Sequence, residues 1–150
     1  MSEVREPSVV SAEDVRDYLS SLSMEAKDGV TVEVLEKDFS RCRLPFDGTG
    51  ARPGGFIPGP KQMALVDLAV WVAVFTRAGI APMAVTAELK INFLRPAHGG
   101  DLIAEAHLRK YGRLSYADVV LYIDGDPDRL VSSAAATYAV PDDVLERTRS

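Results

Sequence analysis

One cysteine, two histidines and no cluster of either are all that this 150-residue chain offers to chemistries that depend on them. Cys42 stands alone, so no intrachain disulfide can form, and it has no histidine near it in sequence to activate it; it reads as a small packed residue. His98 and His107 lie apart from any cysteine or acidic group, which leaves no metal-ligand spacing, and no metal is expected. The G-x-S-x-G elbow is missing, which counts against an α/β-hydrolase serine site, and no P-loop or dinucleotide fingerprint appears either. There is no basic surplus either. A net charge of −5 and a pI near 5.0 argue against nucleic acid, which needs clustered Lys and Arg. The N-terminus, MSEVREPSVV, lacks the basic start and apolar core of a signal peptide, and the longest apolar run is shorter than the roughly 20 residues of a membrane span. The expected setting is the cytoplasm, away from membranes.

What is present is the balance of a soluble globular protein, 47% hydrophobic and 26% charged, at a length that suits one domain over residues 1–150. Residues 1–10 are expected to be a flexible lead and 142–150 a short tail. Ser11, with Asp14 three residues on and Val10 and Val15 placed as a hydrophobic staple, predicts a helix over about Ala12 to Leu22. Thr31 to Phe46 reads as one extended strand of imperfect alternation. Asp47 to Pro60 is rich in Gly and Pro and reads as a loop. Pro60 then opens a helix that closes near Gly79, and four alternating segments follow as strands: Val85 to Phe93, Leu102 to Arg109, Leu114 to Ile123 and Arg129 to Val140.

From Met63 to Phe75 every residue is apolar except Asp67. An isolated carboxylate in an apolar segment must neutralise, pair or be used, so Asp67 is either a matched structural group or a reactive one. An all-apolar helix must also be wrapped on most of its faces. Four strands joined by short turns supply an antiparallel sheet that can curve around it.

In the order and spacing of "MALVDLAVWVAV", "VTAELKINFLRPA", "GDLIAEAHLRKYGRL" and "LVSSAAATYAVP", the chain resembles the hotdog-fold thioesterases, and within them the PaaI-like acyl-CoA thioesterases of phenylacetate degradation. The resemblance implies an α+β fold, a curved antiparallel sheet around a long central helix. It implies hydrolysis of an aryl- or medium-chain acyl-CoA, with coenzyme A as part of the substrate and no separate cofactor. The family's acidic residue on the central helix matches Asp67, as general base or nucleophile. The family precedes that helix with His-Gly-Gly, where this chain has Pro58-Gly59-Pro60; Gly59 N–H is the candidate oxyanion donor, and the family His is replaced by Pro58. Arg52 matches a position that is often Asn, and Thr86 one that is Ser or Thr. "HGG" does occur at His98 to Gly100, but it opens no helix.

Physical reasoning supports part of this. A helix N-terminus offers unpaired N–H groups and about half a positive charge to a developing oxyanion. Lys61 in the first turn opposes that dipole, which suits an approaching anion. Gly59 and Asp67 lie about 12 Å apart along one helix, at about 1.5 Å per residue, so a site shared between two subunits is expected, in a homodimer or a dimer of dimers. Met63 and Trp71 are candidate acyl contacts, with Trp71 equally readable as core. Arg95, Lys110 and Arg113 are candidate contacts for the nucleotide tail. Thr86 is either structural or a water-positioning group, because strict alternation turns it away from the Leu89 face. The rival reading is a non-catalytic acyl-CoA-binding or ligand-sensing domain on the same fold, and a third is a hotdog hydratase.

Overall fold

Ser11 caps the first helix as its spacing demands: its hydroxyl accepts the Asp14 N–H at 3.0 Å, and α1 runs over Ala12–Ser20, ending two residues before the expected Leu22. The structure is a computed structural model that describes residues 4–22 and 29–148. Val15, the staple residue, is fully buried.

The stretch read as a single strand is a hairpin, β1 (Thr31–Glu36) and β2 (Phe39–Leu44). Its two-residue turn contains no glycine. Asp38 takes the left-handed conformation instead, at φ 65°, which short polar side chains tolerate, and its carboxylate receives both Arg77 Nε at 2.8 Å and an Arg77 Nη at 3.0 Å. The imperfect alternation of β1 has a physical source in a register shift between Val32 and Val34.

The apolar segment forms α2 (Gly59–Ala78), 20 residues or about 30 Å, closed by Gly79 at φ 74°. Its Leu65, Val66, Val70, Val74 and Phe75 are at most 1% exposed. Each contributes about 1.5–3 kcal/mol by leaving water. The strands β3 (Val85–Phe93), β4 (Leu102–Lys110), β5 (Leu114–Ile123) and β6 (Leu130–Ala139) complete one antiparallel sheet of six strands, ordered β1-β2-β4-β5-β6-β3, curved around α2. On β6, Ser132, Ala134 and Ala136 face inward, and their small side chains let the helix approach the sheet.

Described residues near both ends of the chain pack onto the fold. Glu6 to Val9 lie along the hairpin and helix, with Lys37 N–H donating to Glu6 O at 2.8 Å and Val9 N–H to Thr76 O at 3.0 Å. The predicted tail forms α3 (Asp142–Thr148), which buries Val144 and Leu145. Wrapping of α2 is incomplete as well. Pro60, Met63 and Ala64 are exposed and Asp67, Leu68 and Trp71 half-buried, a stripe at helical spacing that the sheet leaves uncovered.

Candidate active site

Asp67 lies on that open stripe. It is not sealed in a dry core: the helix turns it toward the seam where β6 meets the edge strand β3. Its Oδ1 accepts two hydroxyls, Thr86 Oγ1 at 2.6 Å and the Tyr138 phenol, and the same phenol lies 2.9 Å from the Asp67 backbone carbonyl, to which it also donates. Among the described residues, Oδ2 has no hydrogen-bond partner. Tyr138 is 3% exposed, and burial first, then the bonded carboxylate, pushes its phenol far above the usual tyrosine range. The phenol is therefore a donor, never a phenolate, at ordinary pH.

Thr86 reaches Asp67 because β3 is irregular. Thr86 pairs with Tyr138 across the β3–β6 ladder and Glu88 with Thr137, so Ala87 is an extra residue in β3. That bulge inverts the alternation and puts Thr86 on the same side as Leu89, which corrects the expectation that it points away. Strict period-2 reading hides such a shift. Tyr138 was missed for a simpler reason: a tyrosine in an alternating strand reads as core packing, and only the fold shows what its hydroxyl meets.

Gly59 begins α2, and its N–H, as the first of the helix, has no intrahelical acceptor. A Cβ there would stand 3.1 Å from Phe93 Cζ, so the end of β3 lies close to the helix start and a larger residue would have to push the half-exposed Phe93 ring aside. Pro58 is the N-cap in extended conformation and its carbonyl accepts the N–H groups of Lys61 and Gln62 at 3.1 and 3.2 Å. Buried Gln62, a second residue the sequence did not flag, fastens this end: its amide donates to Ile57 O at 3.3 Å and its carbonyl accepts the Ser132 hydroxyl. Pro60 and Met63, the latter 40% exposed, stand on the open stripe.

The remaining candidates fall in three places. Arg52 heads a tight turn in which its N–H donates to Phe56 O at 2.9 Å, and Gly54, at φ 92°, makes room for the Phe56 ring. Phe56 meets His98 edge-on at 5.2 Å, so the 95–98 segment, with exposed Arg95 donating to Leu130 O, runs beside the helix start. "HGG" opens no helix, yet the fold carries His98 to the same neighbourhood. Lys61 lines a depression of about 430 Å³ with Asp47 and Asp101, and its charge helps to hold the Asp47 carboxyl below the usual range, after the Thr49 hydrogen bonds. Lys61 thus answers a carboxylate of its own chain. Exposed Lys110 and Arg113 lie near the β4–β5 turn, at the sheet end that carries Val85 and Thr86. Trp71 packs against Tyr18 and Phe75, at 6.2 and 5.0 Å between centroids, in an aromatic cluster that docks α1.

One other residue with reactive potential stands outside this arrangement. Cys42 is wholly buried, and burial pushes its thiol up to about 12, so it stays protonated. No group of three His, Cys, Asp or Glu able to hold a metal occurs among the described residues, and among them no helix is long and apolar enough to cross a membrane.

The family model described as "Thioesterase superfamily" matches residues 54–123, which span the loop before α2, the helix itself and β3 to β5. A candidate esterase of Saccharolobus solfataricus is 34% identical over 133 residues, 88% of this chain and 87% of that protein. The chain belongs to the thioesterase superfamily. It has the hotdog fold and is of the thioester hydrolase class. A candidate thioesterase of Silicibacter sp. TM1040 superposes with a TM-score of 0.80 at 29% identity, covering 89% of this chain and 94% of the other. The PaaI protein from the phenylacetic acid degradation operon of Escherichia coli superposes at 0.73, covering 86% and 91%, but at 17% identity that likeness is one of fold. In this thioesterase, then, Asp67, Thr86 and Tyr138 form one polar cluster and the Gly59 N–H stands at the helix start, apart from them.

Proposed function

We propose that the protein hydrolyses the thioester of an aryl- or medium-chain acyl-CoA of the PaaI-like kind, releasing the acid and free coenzyme A. The observation that carries this reading is the pinned carboxylate: Asp67 is held by one oxygen at an uncovered sheet edge, with the other oxygen unengaged. As a general base it would take a proton from water as the water oxygen bonds to the thioester carbon. The C–S bond then breaks and the thiolate leaves with a proton. In the nucleophilic alternative Asp67 itself attacks, the thiolate leaves, and water cleaves the mixed anhydride.

Neither route works within one subunit if Gly59 N–H is to receive the oxyanion, since donor and carboxylate stand about 12 Å apart along the helix. A homodimer that pairs two β3 edges about a two-fold axis resolves this. Antiparallel pairing sets the Phe93 end of one strand beside the Val85 end of its mate, and with it one Gly59 toward the other Asp67. The exposed Met63 stripe would close the acyl pocket in the same step, with Pro58 and Pro60 at its mouth; a dimer of dimers would leave these sites intact. Arg52 and Arg95 at the helix start, or Lys110 and Arg113 at the opposite sheet end, would meet the phosphates of coenzyme A, with Lys61 a weaker candidate because of Asp47. The reading uses no metal and no cofactor besides the substrate's own coenzyme A, and places the enzyme in the cytoplasm.

The test is thiol release, followed with a chromogenic disulfide reagent, from short, medium, long and aryl acyl-CoAs. Turnover that falls about 10²- to 10⁴-fold in Asp67→Asn, the usual worth of a general base, supports the proposal. Saturable binding without turnover would replace it with the acyl-CoA-binding reading, for which Pro58 in place of the family His is the motive. Hydration of crotonyl-CoA would point to a hydratase.

A further inference from the structure

We infer that Tyr138 is a positioning residue that selects Asp67 Oδ2 as the reacting oxygen. The inference rests on the thioesterase reading and concerns how that site is built.

A carboxylate has two equivalent oxygens and two side-chain torsions, and on an exposed helix face both torsions are free. Here a single phenol bridges two atoms of the same residue, Asp67 Oδ1 and the Asp67 backbone carbonyl. The backbone oxygen belongs to the rigid helix and the carboxylate to its side chain, so the phenol ties the rotating group to the fixed one. Thr86 bonds to Oδ1 as well, at 2.6 Å, and no described residue bonds to Oδ2. The asymmetry has a direction. Both donors approach Oδ1 from β6 and β3, so Oδ2 is the oxygen turned away from the sheet, where water or a thioester can reach it.

The two donors are not equivalent. Thr86 is exposed in the single chain and sits on the bare β3 edge, so its hold on Asp67 depends on what meets that edge. Tyr138 is nearly sealed and its phenol stays protonated, so it holds Asp67 from the dry side, sharing its one proton between Oδ1 and the Asp67 backbone carbonyl. The β3 bulge that aims Thr86 also keeps it opposite Tyr138 in register, so that both hydroxyls reach one oxygen. A purely structural tyrosine in this strand would need only one acceptor, which the backbone carbonyl already supplies.

The experiment is Tyr138→Phe, which keeps the ring and removes the donor, beside Thr86→Val and the wild type. Three quantities are read: kcat and KM for the best acyl-CoA, the melting temperature, and the side-chain carboxyl 13C signal of Asp67, assigned by its loss in Asp67→Asn. We expect kcat to fall about 10- to 100-fold in Tyr138→Phe, the range that loss of one hydrogen bond to a charged group implies, with KM changed by less than about threefold. The Asp67 signal, single and narrow in the wild type, should broaden or double as the carboxylate samples a second orientation. Thr86→Val should lower kcat less and leave the signal narrow. A kcat within about twofold of wild type together with a narrow Asp67 signal in Tyr138→Phe overturns the inference. If Tyr138→Phe does not fold, a broadened Asp67 signal in the folded Thr86→Val protein overturns it, since Tyr138 alone should suffice to hold the group; a narrow one supports it. A wild type that hydrolyses no acyl-CoA defeats the thioesterase reading, yet the carbon signal still decides whether Tyr138 pins the carboxylate.

Discussion

At the β1 edge of the sheet, Glu6 and Pro7 run alongside Glu36 and Lys37, and Arg16 of α1 donates to the Val32 carbonyl at 2.7 Å, while Glu33, Arg41 and Arg43 form ion pairs across the hairpin. At the β3 edge no described segment covers the strand, and Val85 and Phe93 remain about half exposed, with Leu94 and Met83 beside them. An open strand edge exposes unpaired backbone groups and invites pairing, so chains normally cover or charge it. This chain covers one edge with its own N-terminal segment and leaves the other bare, with apolar Val85 and Phe93 exposed at its two ends and Glu88 and Lys90 between them. On the proposed reading the bare edge is where a second copy would pair, and the Asp67 cluster sits at that edge.

The largest effect should come from spoiling the bare edge. Val85→Lys with Phe93→Lys places charges along β3, and sedimentation should then show a monomer whose acyl-CoA turnover is reduced as far as that of Asp67→Asn, about 100-fold or more. Thr31→Lys, on the covered edge, should change neither oligomeric state nor turnover. A double variant that sediments and turns over as wild type would mean that the edge is not the interface.

The two faces of α2 give a second contrast, read in stability. Phe75→Ala empties a fully buried site and should cost about 3–5 kcal/mol in urea denaturation. Met63→Ala, on the open stripe, should stay within about 0.5 kcal/mol in the monomeric edge variant, as isolated surface changes do. A larger Met63 cost there would show that the stripe is covered within one chain.

The smallest effect concerns the outer face of the sheet. Burial first, then Arg109, holds the His107 imidazole below its usual range; Arg5 acts in the same sense, while Asp118 and Glu105 oppose. With its folded value below the unfolded one, near 6.5, His107 contributes stability that is present above pH 6.5 and is lost as pH falls through the folded value. The drop in melting temperature between pH 7 and pH 5 should therefore be smaller in His107→Gln than in the wild type, and an equal drop would assign it to other groups.

Much of this was legible in the residues, and the failures have distinct causes. The α2 boundaries followed from Pro60 and Gly79, and β3, β5 and the N-cap at Ser11 from local pattern alone. The β1–β2 hairpin was not visible, because Asp38 does in its turn what a glycine usually does, supported by an Arg77 that lies 39 residues away. The helical state of 142–148 was hidden because Val144 and Leu145 are too few to show a period. In the site, Asp67 stood out as one charge in an apolar run. Tyr138 and Gln62 did not, since their partners are 71 and 70 residues distant in sequence.

By itself, then, the sequence determined α1, α2 and the four strands after it, the antiparallel fold around an apolar helix and the residue whose charge must be accounted for, since each rests on spacing within a few residues. Only the tertiary structure decided that Asp67 faces an open edge rather than a dry core, that a bulge turns Thr86 toward it, and that one oxygen is held while the other is left free. Those outcomes depend on which strand lies beside which and in what register, and register is set by the packing of the whole sheet.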